Sequence, residues 1–189
     1  MMKIQQIKTE LSKSLSEHRY THTLGVAESA VLLAKQYEQD QQKAEIAGLL
    51  HDCGKVYKGK EYVKPCQEAS ITITASEVLN PDLLHAKYSA YLAFTKYGIS
   101  DTLILDAIRY HTTGRPDMSG LEKIIYVADF IEPNRKPIPG MQKIRQLAFI
   151  DLNKTVALIL QNTLAFLKFS HREIDEITCK ASQYYQNYL

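Results

Sequence analysis

The sequence predicts an all-α fold, and three observations carry the prediction. Apolar residues recur at helical spacing along almost the whole chain. Period-two alternation is confined to Ile71-Thr72-Ile73-Thr74, too short to argue a sheet. Capping and helix-breaking residues fall between the periodic segments, where helices have to start and stop.

Ile4, Ile7, Leu11 and Leu15 share one face of a first helix. A second begins near Thr21 and turns His22, Val26, Ala30 and Leu33 inward. In a third, Ala44, Ala47, Gly48 and His51 stand at i, i+3, i+4 and i+7, and Gly54 is expected to end it as a left-handed cap. Residues 56–80 read as irregular, with Gly59 and Pro65 as punctuation and room for a short helix. Asn80-Pro81 opens a helix that carries His85, Ser89 and Leu92 on one side. Ser100 and Asp101 open the next, in which Ile104, Ala107, Ile108 and His111 point inward before Thr112-Thr113-Gly114 stops it. Ser119-x-x-Glu122 is a capping box for a helix bearing Ile124, Ile125, Ala128 and Asp129, ended by Pro133. The Pro-rich segment 132–140 cannot continue a helix, and two amphipathic helices follow, near 151–169 and 173–188. That segment is too short for a domain linker, so one domain over 1–189 is expected.

Composition narrows the function classes. The chain has 189 residues, 45% hydrophobic and 23% charged, enough to bury roughly 70% of its unfolded surface without a metal or disulfide staple. A metal here would serve function. No run of the hydrophobic set exceeds five residues, far short of the roughly 20 that span a bilayer, so no membrane association is expected. The first residues lack the apolar stretch of a signal peptide, and three cysteines, Cys53, Cys66 and Cys179, lack CxxC spacing. Both suggest free thiols and a cytoplasmic location. The net charge of +2 is scattered rather than gathered in a stripe, so no nucleic-acid partner is expected.

The chemistry-bearing signal is a set of histidines and acids on helix ends or otherwise apolar faces: His22, His51-Asp52, His85, His111 and Asp129. They are separated by 29, 33, 26 and 18 residues, each about one helix plus a connection, so successive helices of a bundle can deliver them to one cavity. Mixed imidazole and carboxylate donors suit a six-coordinate transition ion such as iron or manganese. A lone buried histidine is more often a core residue bonded to backbone, whereas a buried acid such as Asp129 normally needs a cation or several donors. Arg19, Lys55 and Arg135, taken alone, read as solvated surface charges.

The order His22, His51-Asp52, Asp129 resembles the H…HD…D pattern of the HD superfamily of metal-dependent phosphohydrolases. The words HRYTHTLGV (18–26), AGLLHDCGK (47–55), AIRYHTTGRP (107–116) and IYVADFIEPNRKPIPG (125–140) resemble the YqeK family over essentially the whole chain. The resemblance implies a single HD-type helical bundle with the metal site in its core, an HD core at about 18–132, and the C-terminal helices packed on it. It further implies symmetrical hydrolysis of diadenosine tetraphosphate to two ADP, and a homodimer. His22, His51, Asp52 and Asp129 would hold the metal, iron with manganese or cobalt as substitutes. His85 and His111 would line the phosphate side, complete a second ion site if one is used, and assist proton transfer, with Asp52 counted among the catalytic groups. Arg19, Lys55, Thr112 and Arg135 would bind phosphate oxygens beside Asp129, and adenine would meet aromatic or apolar groups of the C-terminal part.

These residue types suit the reaction. A tetraphosphate bridge carries about four negative charges, so hydrolysis calls for a metal-bound hydroxide attacking one central phosphorus, with cations offsetting charge in the transition state. Cys53, beside the HD pair, reads as packing. Two rival functions stand beside this one: an HD phosphohydrolase of other nucleotides, and a nucleotide-binding sensor with little turnover.

Overall fold

The computed structural model describes residues 2–136 and 138–189. Among the described residues every regular element is helical, in eleven α-helices joined by turns and three 3₁₀ segments. Helix α1 (Ile4–Ser14) buries Ile7 and Leu11 against α2 (Glu17–Gln36) and α3 (Gln41–Leu50). Helix α2 starts at Glu17 rather than near Thr21, because the Ser16 hydroxyl accepts the Arg19 N–H and sets the first turn four residues earlier. Asp40 caps α3 in the same way, through the N–H groups of Gln42 and Lys43.

The crossing of α2 and α3 is made of small residues. Ala27, Ala30, Ala34, Ala44, Ala47 and Gly48 are all buried there, and a Cβ on Gly48 would lie 2.7 Å from the Cα of Ala27. The two backbones approach so closely that only glycine fits.

Helix α3 ends at Leu50, and a series of turns carries the chain through Val56. Gly54 is not the left-handed cap expected from sequence; it lies outside the positive-φ glycines. Its small size serves a tertiary contact instead, since a Cβ would lie 2.8 Å from the backbone nitrogen of Ser89. Residues 59–79 hold a 3₁₀ turn and two short helices, α4 (Val63–Glu68) and α5 (Ala75–Leu79), and Ile71–Thr74 forms no strand. Pro81 opens a 3₁₀ turn that runs directly into α6 (Leu84–Thr95); the Asn80 side chain caps neither.

Helix α7 (Thr102–Tyr110) is capped by Asp101, whose other oxygen pairs with Lys43 at 2.8 Å and ties the N-termini of α3 and α7 together. Gly114, at φ 64°, turns the chain after α7. Ser119 and Glu122 form the expected capping box at the start of α8 (Gly120–Ile131), and Pro133 follows its end. Helix α9 (Met141–Leu147) begins after Gly140, at φ 80°, and α10 (Leu152–Phe169) and α11 (Glu176–Tyr185) complete the chain.

Helix α8 packs on α2, α3, α7 and α10, and α7 packs on α6 and α3, so α8 and α3 form the centre of the bundle. One continuous apolar cluster runs from Ile7 in α1 to Tyr185 at the end of α11. Among the described residues no helix is long and apolar enough to cross a membrane.

Candidate metal centre and cavity

The period that buries the apolar faces also buries the histidines at their ends. His51 and His111 occupy the C-cap positions of α3 and α7. The last carbonyls of a helix have no N–H partner of their own. The Nδ1–H of His51 donates to Gly48 O at 2.7 Å and that of His111 to Ile108 O at 2.7 Å, each filling such a vacancy. His85, in the first turn of α6, donates likewise to Asp82 O at 2.5 Å. With Nδ1 protonated, each Nε2 is left with a lone pair turned toward the other donors of the site.

Those lone pairs converge on Asp52, 1% exposed at the turn after α3. Its Oδ2 lies 3.5 Å from His51 Nε2 and 3.9 Å from His22 Nε2. Its Oδ1 lies 3.3 Å from His85 Nε2 and 3.6 Å from His111 Nε2, yet makes no hydrogen bond among the described residues. Asp129 closes the first side, with Oδ1 3.1 Å from His22 Nε2 and 3.8 Å from His51 Nε2. Imidazole nitrogens face each other at 3.3 Å (His22 and His51) and 3.2 Å (His85 and His111). Two groups therefore have the spacing to hold an ion: His22, His51 and Asp129, and His51, Asp52 and His111. Lone pairs brought this close, together with a buried carboxylate oxygen that lacks a partner, fit a cation bound between them.

Without a bound ion, burial and neighbouring charges shift these groups. Burial pushes the His85 imidazole down to about 3, with the Lys55 charge acting in the same direction. Burial alone would raise the Asp52 carboxyl, but His51 and His111 in their protonated forms, together with the Lys55 charge, hold it well below the usual carboxylate range. Burial likewise opposes ionisation of Asp129, and His22, His51 and Arg135 outweigh it, lowering the carboxyl. For His22, desolvation works downward, and the Asp129 and Glu132 carboxylates reverse it, raising the imidazole.

Arg19 and Lys55 are anchored on Asp52 Oδ2, at 2.7 and 3.3 Å. Arg135 donates to the backbone oxygen of Asp129 at 2.5 Å and lies 3.4 Å from its Oδ1. Thr112 Oγ1 is 3.2 Å from His85 Nε2 and 3.0 Å from His111 Nε2. Every residue singled out in the sequence thus meets the others, with the three cations already paired to carboxylates. Arg19, Lys55, His85, His111, Thr112, Asp129 and Arg135 border one cavity of about 860 Å³, within the range for small-molecule sites, and His22, His51 and Asp52 lie buried behind them. Its far wall is built by Tyr126, Phe130, Ile159, Phe166 and Leu167, with Asn162 and Arg172 among them. Arg172 follows a left-handed turn at His171 (φ 50°) and stacks over Phe166 at 5.8 Å.

Sequence reasoning missed Glu132, 1% exposed, whose Oε1 lies 3.1 Å from His22 Nδ1. An acid directly before Pro133 gives no local sign of a histidine 110 residues away.

Residues 19–134 match the HD domain family. The chain belongs to the HD domain family. A Bacillus subtilis (strain 168) protein named bis(5'-nucleosyl)-tetraphosphatase, symmetrical, is 46% identical over 164 residues, 83% of this chain and 83% of that protein. A protein of the same name from Halalkalibacterium halodurans is 47% identical over 153 residues, 81% of each. The crystal structure of a Clostridium acetobutylicum protein, described as a predicted HD superfamily hydrolase involved in NAD metabolism, superposes with a TM-score of 0.95 at 39% identity, covering all of both chains. The family's metal-dependent phosphohydrolase chemistry fits the donor set already described.

Proposed function

We propose that this HD-domain hydrolase cleaves diadenosine tetraphosphate symmetrically to two ADP. The observation that carries the reading is Asp52, buried between two histidine pairs and paired to Arg19 and Lys55, which with Arg135 border the cavity. The names of the relatives that match over most of this chain point to the same substrate.

His22, His51, Asp52 and Asp129 would hold one divalent ion, and His85 and His111 would complete a second site on the free oxygen of Asp52. Iron is the ion we assign, with manganese or cobalt as substitutes, on the mixed imidazole and carboxylate donors. When bound, such an ion supplies Lewis acidity toward phosphoryl oxygen and makes water nucleophilic near neutral pH. Arg19 and Arg135 offer forked donors to phosphate oxygens, and Lys55 a point charge. Thr112 adds a hydroxyl donor beside them. With one ion bound and that second site unused, His85, held neutral by burial and with Nδ1–H fixed on Asp82 O, presents Nε2 as acceptor for a hydrogen bond from the attacking water. His111, fixed on Ile108 O, presents Nε2 in the same way. The aromatic and apolar wall from α8 and α10 would take an adenosine, with Asn162 and Arg172 at its polar edge.

The whole chain acts as one HD unit in this reading, supported by the main apolar cluster that α1, α10 and α11 share with the central helices. The YqeK resemblance supports a homodimer, and three free cysteines agree with the reducing compartment of a cytoplasmic location.

Incubation of the metal-loaded protein with diadenosine tetraphosphate, with products resolved by anion exchange, tests the proposal. ADP alone is expected. AMP plus ATP would place the attack on the wrong phosphorus, and no turnover by a folded, loaded sample would turn the reading to another nucleotide or to a sensor.

A further inference from the structure

Glu132 stands outside the ligand set, yet its surroundings are built for it. Oε1 accepts from His22 Nδ1 at 3.1 Å and Oε2 accepts the Asn134 N–H at 2.7 Å. Among the described residues His22 is its one ion-pair partner, although a carboxylate buried this deeply is normally matched by a cation. Space for it is cut into α2, where a Cβ on Gly25 would fall 2.5 Å from Oε2 and 2.9 Å from the Asn134 side-chain nitrogen. Its backbone is clamped from α9: Arg145 donates to Ile131 O at 2.8 Å and to Glu132 O at 2.7 Å.

His22 is thereby set apart from its neighbours. His51, His85 and His111 hand their Nδ1–H to neutral carbonyls, whereas His22 hands its own to a carboxylate. A carboxylate in that place keeps the proton on Nδ1, fixes the ring, and makes Nε2 a stronger donor to a cation. The same side chain, through Asn134, shapes the turn that leads into Arg135, which rests on Asp129.

We propose that Glu132 is the positioning residue of the metal centre: it locks His22 in the ion-binding tautomer and ties that ligand to the turn that carries Arg135. The inference rests on the reading of His22 as a metal ligand, and deepens it.

The test is a cobalt titration of metal-free protein without nucleotide, followed by the visible spectrum of the bound ion and by competition with a chromophoric chelator. Glu132→Ala should weaken the tightest ion about 10- to 100-fold and change the cobalt spectrum. Glu132→Gln should fall between, because its amide oxygen still accepts from His22 while its NH₂ confronts the Asn134 N–H. Gly25→Ala keeps the carboxylate but displaces it, and should weaken cobalt in the same direction; it decides the matter if Glu132→Ala does not fold. Excess metal should restore turnover in each variant. Folded variants that lose only thermal stability and bind cobalt as the wild type does would overturn the proposal, and so would a wild type that takes up no cobalt. Weaker cobalt binding in a protein that hydrolyses no dinucleotide would sustain this inference while removing the proposed substrate.

Discussion

Gly48→Ala tests the geometry of the centre most sharply, because it adds one methyl group outside the site. Gly48 lies in α3, and its carbonyl holds His51 Nδ1. The added Cβ would lie 2.7 Å from Ala27 Cα, where ordinary contact begins at 3.4 Å, so the backbones of α2 and α3 must part by about 0.7 Å (3.4 minus 2.7). Backbone cannot swing aside as a side-chain end can. The overpacking costs about 1–3 kcal/mol, against a helix-propensity gain of about 1 kcal/mol for replacing glycine. The net loss of stability is then roughly 0–2 kcal/mol, which leaves the protein folded. The same parting moves His22, on α2, away from His51, now 3.3 Å apart at Nε2. Metal–ligand distances tolerate only about ±0.2 Å. Metal affinity should therefore fall about ten-fold or more while the urea midpoint falls by no more than about 1 M. The assay pairs urea denaturation of the metal-free protein with a cobalt titration and ADP release. Unchanged cobalt affinity in Gly48→Ala would refute the claim that this helix crossing sets the histidine spacing.

Asp52→Ala should abolish both bound metal and ADP release, since both histidine pairs lose their common carboxylate; an active, metal-loaded variant by elemental analysis would end the proposed mechanism. Arg135→Ala, at an exposed side chain, should raise KM for the dinucleotide about ten-fold with little change in melting temperature, and an unchanged KM would remove Arg135 from phosphate binding. Cys53→Ser should keep full activity, because burial pushes the thiol up to about 12 and leaves no thiolate to act; a large loss of kcat in a folded variant would contradict it. The metal-free protein should lose stability as pH falls from about 6.5 toward 4. His85 has its folded pKa depressed to about 3, so the unfolded chain binds the extra proton in that window, at a slope of about 1.4 kcal/mol per pH unit. The raised pKa of His22 acts only above 6.5, where its contribution fades as pH rises, and the lowered Asp52 and Asp129 lose theirs only below about 3.8. Urea denaturation across pH should show this slope flattened in His85→Gln, and an equal slope in both proteins would contradict the assignment.

The helical period placed His22, His51, His85 and His111 correctly on buried faces, because the 3.6-residue repeat of the apolar positions is a local property that the chain carries in its order. Capping chemistry is local as well, which is why Ser119 and Glu122 were legible, as was the Asp101 start of α7. The start of α2 was misplaced because Ser16 sits directly before Glu17, outside the apolar repeat used to find the helix. Gly54 was misjudged because its reason lies in Ser89, 35 residues away on α6.

From its order alone the chain determined an all-α fold, the faces its helices bury, and a histidine and aspartate pattern distinctive enough to place it in a family. Tertiary structure decided the rest: that one buried Asp52 serves two histidine pairs, that Arg19, Lys55 and Arg135 rest on carboxylates, and that Glu132 reaches through a notch at Gly25 to hold His22. Periodicity assigns a side chain to a face, but the distance between two faces is set by how closely helices pack, here by Gly48 against Ala27. That distance governs whether the nitrogens of His22 and His51 can meet on one ion, and it exists only once the helices have come together.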